Sequence, residues 1–97
     1  MAGAPPRTAT VDHGGRGGYV TYSDPSGTLQ FSWEGAAYGF EVLIPTPADW
    51  ERQTGLPLAT REDTLAFIAE RFIAARGQPS WTFRVVDGKF SVLEIRA

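Results

Sequence analysis

Cysteine is absent from this 97-residue chain. That excludes a disulfide framework, a thiolate nucleophile and any cysteine-based zinc site. Histidine occurs once, at His13, so a metal site built on two histidines of one chain is excluded as well. A Ser/His/acid constellation would need His13 as its base. It stands in a Gly-rich stretch, where nothing would hold it within hydrogen-bond reach of a substrate. No metal or cofactor is therefore expected. No apolar run approaches the roughly 18–20 residues that span a bilayer. Residues 1–17 lack the apolar central region of a secretory signal. These absences favour a cytoplasmic protein without membrane attachment. Lysine is nearly missing too: eight of the nine basic residues are arginine, alongside many Ala, Gly and Pro. That usage fits the codons of a GC-rich, bacterial genome.

Charge of either sign is sparse and almost balanced, with a formal net of −2. Arg7 and Arg16 against Asp12 leave residues 1–17 at +1, and seven basic against ten acidic side chains leave the rest at −3. A slightly acidic body matches a phosphate backbone poorly, which disfavours nucleic acid as a partner. Gly14-Gly15-Arg16-Gly17-Gly18-Tyr19 holds one arginine–glycine element of the kind that RNA-binding segments repeat, and Gly-rich spacer composition accounts for it equally. These glycines precede a predicted strand, whereas phosphate cradles follow a strand and open a helix.

What the chain does have is alternation. Val20 and Tyr22, then Leu29, Phe31 and Trp33, then Tyr38, Phe40, Val42 and Ile44 recur at period two. Folding at Asp24-Pro25-Ser26-Gly27 sets Val20 opposite Phe31 and Tyr22 opposite Leu29. Folding again at Gly35-Ala36 sets Trp33 opposite Tyr38, Phe31 opposite Phe40 and Leu29 opposite Val42. A one-residue slip would turn the whole apolar set over, so the agreement favours one register. The three-strand meander spans about 19–22, 28–34 and 37–44. Pro45 and Pro47 stop the sheet.

A short helix is expected from Pro47 to about Thr54, capped by Thr46 with Asp49 in the capping box and Gly55 at its end. A long helix follows. Thr60 is placed to cap it, Glu62 and Asp63 favour its positive end, and Gly77 with Pro79 ends it. Leu65, Ile68, Ala69, Phe72 and Ile73 form its apolar stripe. Arg76 falls in the last turn, where it opposes the helix dipole and can snorkel past the core. Asp87-Gly88 then signals a two-residue hairpin pairing Val85 with Phe90 and Phe83 with Val92, so that Trp81, Phe83, Val85, Phe90 and Val92 share a face.

The fold class is α+β: an antiparallel sheet of about five strands (three-strand meander, short helix, long helix, C-terminal hairpin) with the long helix packed on one face. Residues 1–18 read as a flexible Gly/Pro-rich tail and 19–97 as one domain. Strand order between the two hairpin units is left open.

Catalytic equipment is thin. Asp49, Glu62 and Asp63 fall in first helical turns, where capping explains them. Glu51 supplies another carboxylate, and Glu70 beside Arg71 suits a solvated helix face. On the sheet side away from the core, Glu41 is expected across from Gln30 and Arg84 across from Ser91. Tyr19, Leu43, Leu93 and Ile95 also project there, and Phe67 sits opposite the helix stripe. An exposed patch of this kind marks a contact surface, and an ordinary solvated sheet face with scattered apolar residues is the competing view. The leading expectation is a non-catalytic protein-interaction domain, an adaptor, neutralising or self-associating module. It would use the outer sheet face (Tyr19, Glu41, Leu43, Arg84, Leu93, Ile95), Phe67 or an exposed edge, with another protein or a second copy as partner. One alternative is a small-molecule binder or minor enzyme with a cleft between helices and sheet, lined by Trp50, Arg61 or Glu41. The other is a weak nucleic-acid contact through Arg7, Arg16 and Tyr19.

Overall fold

The computed structural model describes residues 7–12 and 15–97. Its strands are β1 (Thr8–Val11), β2 (Gly17–Asp24), β3 (Gly27–Ala36), β4 (Gly39–Ile44), β5 (Thr82–Val86) and β6 (Ser91–Arg96). Between β4 and β5 lie helix α1 (Trp50–Thr54), a 3₁₀ turn (Leu58–Thr60) and helix α2 (Arg61–Arg76). The strands form one antiparallel sheet in the order β1-β2-β3-β4-β6-β5. The fold is α+β, with six strands rather than about five. Leu65, Ile68, Ala69, Phe72 and Ile73 of α2 share one buried cluster with the sheet's inner face, as their helical spacing requires. No helix among the described residues is long and apolar enough to cross a membrane.

The extra strand is β1, inside the stretch whose composition reads as a tail. Its side chains are small, so they give little periodic signal. They nevertheless place Ala9 and Val11 on the inner face, across from Tyr22 and Val20. The Asp12 amide donates to the Tyr19 carbonyl at 3.1 Å, and the Asp12 carboxylate accepts the Tyr19 amide at 3.0 Å. Arg7 pairs with Asp63 of α2 at 2.6 Å. His13 lies outside the described residues.

The first hairpin has the expected register, Val20 with Phe31 and Tyr22 with Leu29. The second turns four residues' worth later in register, with Trp33 opposite Val42 and Ala37-Tyr38 as its turn. An even offset keeps the strand side chains on their faces, so the core assignment survives for all of them but Tyr38, which passes into the turn, while the partners change. Gly39 fixes this position. Its φ is +157°, and a Cβ there would overlap the Ile95 carbonyl of β6. The strand is thereby obliged to begin at a residue without a side chain, and Tyr38 is left in solvent.

The last hairpin departs by three residues, Val86 pairing with Val92 and Phe83 with Ile95. An odd offset reverses β6. Leu93 and Ile95 become wholly buried, whereas Phe90 is 75% exposed. Asp87 does not serve as a turn residue, because its carboxylate accepts from the Arg61 guanidinium at 2.8 Å and from the Ser91 hydroxyl at 2.6 Å. Gly88 is not among the positive-φ glycines, so the tight primed turn does not form.

Helix ends also differ in detail. α1 starts at Trp50, and Asp49 pairs with Arg52 instead of capping it. The Thr60 hydroxyl donates to the Pro57 carbonyl and accepts no amide of α2. Gly77, with φ +67°, ends α2 as expected. Arg76 lies over Trp33 and Phe40, 4.7 Å from each ring centroid, closing the core at that end.

Candidate protein-interaction edge

Four residues expected at a contact surface or cleft are instead interior. Leu93 and Ile95 have no exposed surface, because the reversed β6 turns them under α2. Trp50 is likewise sealed, its indole N–H donating to the Pro57 carbonyl at 3.2 Å. Arg61 is buried and bridges the Pro45 carbonyl at 3.0 Å to Asp87, so it fastens α2 to the ends of β4 and β5 rather than lining a cleft. Phe67 is partly buried. Tyr22 meets it edge-on at 6.0 Å, and Arg7 and Arg71 lie over its ring at 4.3 and 5.2 Å.

The outer face keeps Tyr19, Glu41, Leu43 and Arg84: Glu41 and Leu43 on β4 and Arg84 on β5 flank β6, and Tyr19 stands apart on β2. Glu41 faces Glu34 and Glu94, not Gln30. Arg84 faces Glu94, not Ser91, and binds it at 2.6 Å. Together with Arg96, it holds the Glu94 carboxyl below the usual carboxylate range. Tyr19 and Leu43, each about half exposed, lie on strands separated by β3. Leu43 instead continues through Val92 to Val86 across β4, β6 and β5. Pairing of β3 with β4 ends at Trp33–Val42, and beyond it a cleft of about 500 Å³ opens between Thr28, Gln30, Leu43 and the end of α1.

The most complete unsatisfied feature is the edge at β5. Ala36 and Gly39 close the second hairpin as a bonded pair around a two-residue turn. In antiparallel ladders bonded pairs alternate, so the even residues of β4 bond to β6. The Ala97 amide, donating to the Tyr38 carbonyl at 3.4 Å, continues that series. Val92, Glu94 and Arg96 then bond to Val86, Arg84 and Thr82. The backbone groups of Phe83 and Val85 are left pointing away from the sheet. Beneath them Trp81, Phe83 and Val85 are only partly buried against the core. A groove of about 350 Å³ runs between this edge and α2, lined by Glu70, Ile73, Pro79, Trp81 and Phe83. At the opposite edge, among the described residues, α2 lies against β1, and Arg7 joins them by pairing with Asp63 and covering Phe67.

The sequence pattern puts Arg84 on the outer face of this strand and Trp81, Phe83 and Val85 on its inner face. Their alternation correctly marks them as core-facing. What it lacks is strand order, which alone shows that their cover is incomplete.

In comparisons with family models, with curated proteins and with solved structures, nothing matches this chain.

Asp87 gives the structure a specific acid response. Arg61 first, and Ser91 second, hold its carboxyl below the ordinary range. A depressed folded-state value means the stabilisation is complete above the unfolded-state value, about pH 4, and is lost as pH falls through the folded one. Asp24 and Glu94 are depressed in the same direction, so the loss is shared. Urea midpoints measured from pH 6 to pH 2.5 should fall more steeply for the wild type than for Asp87→Asn, which should start lower. Parallel curves would remove Asp87 from the acid response.

Proposed function

We propose that this chain is a non-catalytic protein-interaction module that receives an extended segment along the open edge of β5. The observation that carries the proposal is the conjunction at one edge of backbone groups without a partner among the described residues and partly uncovered core. Phe83 and Val85 present N–H and C=O outward, directly above the half-covered Trp81, Phe83 and Val85 side chains and the groove beside α2. An added strand would satisfy the first and bury the second. Main-chain bonds supply the affinity in this mode of recognition, and alternate side chains entering the groove supply the selectivity.

Proline substitution separates this role from folding. At Val85 it deletes an amide that faces away from β6, a position where edge strands tolerate proline. At Val86 it deletes a ladder amide. The Val85→Pro chain should melt within a few degrees of wild type but recover none of the protein that a tagged wild-type chain retains from its source cells. Val86→Pro should be markedly less stable. Unchanged recovery by a folded Val85→Pro chain would sink the edge as the binding site.

A further inference from the structure

We propose that the strand received at this edge is β5 of a second copy, paired antiparallel about a two-fold axis through Arg84. This inference rests on the edge-acceptor reading and names its occupant.

The pattern of open groups is complementary to itself about one axis, which accommodates a second copy and fixes its register. With the axis at Arg84, Phe83 of each copy lies opposite Val85 of the other. Each open N–H then meets an open C=O, and no other backbone group is required. An axis at Phe83 would call on the Trp81 amide, which already donates to the Gln78 carbonyl at 3.0 Å. An axis at Val85 would pair Phe83 with Asp87, which lies beyond the strand in the loop tied to Arg61. The Arg84 axis is also compatible with the side chains. On the inner face, Phe83 packs against Val85 of the second copy, an aromatic–β-branched pair of the kind that stabilises adjacent strands. On the outer face the two Arg84 side chains oppose each other, but each guanidinium is already bound to Glu94 of its own sheet. Thr82 meets Val86. Symmetric dimers use one patch on both subunits in this self-complementary way. A five-residue strand pair is a small interface, so association should be reversible and concentration-dependent.

The absence of cysteine makes the register directly readable. Opposed residues of a non-bonded antiparallel pair stand at the Cα separation that a disulfide spans. Among single-cysteine variants of the outer positions, Arg84→Cys should crosslink to itself under mild oxidation at least about tenfold faster than Thr82→Cys or Val86→Cys, since only position 84 meets its own copy. Light scattering of the unmodified chain should show its mass rising from that of one 10.6 kDa chain toward twice that value with concentration, and Val85→Pro should abolish the rise. A concentration-independent monomer, or equal crosslinking at the three positions, would overturn the second-copy assignment. The edge-acceptor reading would then still stand or fall on whether Val85→Pro loses the captured partner.

Discussion

Replacing Ile95 with glutamate should leave the chain unfolded at 25 °C. Ile95 is wholly buried beneath α2, between Phe40 of β4 and Phe83 of β5. A carboxylate there would be stripped of water among the apolar side chains of the core, and burying a charge costs several kcal/mol. That is comparable to the whole stability of a domain this size, about 5–15 kcal/mol. The milder Ile95→Ala should remain folded but lose roughly 2–5 kcal/mol. Circular dichroism and urea titration of the two variants provide the check. The two-residue Asp87-Gly88 turn predicts the opposite, because it would place Ile95 on the outer face and make the glutamate harmless. An Ile95→Glu chain with a wild-type midpoint would therefore restore that register and dismantle the β6 pairing.

Arg61→Met should cost roughly 2–4 kcal/mol, the sum expected for a lost charge-assisted bond and a buried carbonyl left without its donor. Methionine keeps much of the aliphatic volume beside Trp50, so the loss isolates the guanidinium. Its bonds reach the Pro45 carbonyl at the end of β4 and Asp87 at the end of β5. Two effects hold the figure down. The Asp87 side chain is 43% exposed, so solvent screens the ion-pair share. The Arg61 Nε is itself buried without an acceptor, a penalty that methionine removes. A double-mutant cycle with Asp87→Asn should give a coupling energy near 1 kcal/mol or more. Additive effects would show that Arg61 does not act through Asp87.

These two residues also mark where sequence logic reached its limit. Period-two alternation placed Phe31, Trp33 and Val42 on the inner face, and helical spacing placed Leu65, Ile68, Phe72 and Ile73 against them. Those placements depend on parity, and parity survives even-numbered slips. The second hairpin slipped by four residues and lost only Tyr38 from the inner face, to the turn. The third slipped by three and moved all of β6. What decided it was a long-range contact, Arg61 drawing Asp87 out of the turn, and the two residues are 26 apart in sequence. β1 was illegible for a different reason. Thr8–Val11 carries no large apolar side chain, and its stabilisation comes from the ladder with β2 and from Arg7 on α2. The β5 edge combines both failures. Its core-facing residues were legible, but their incomplete cover follows from β6 lying between β4 and β5, a strand order that no local pattern encodes.

Amide hydrogen exchange along β5, followed by NMR from high dilution upward, tests the central claim most directly. At high dilution Arg84 and Val86 should be protected by β6 while Phe83 and Val85 exchange freely. At higher concentration Phe83 and Val85 should become protected together, and Arg84 and Val86 should change little. Protection of Phe83 and Val85 at every concentration would mean that the edge is already closed within one chain, which contradicts the account.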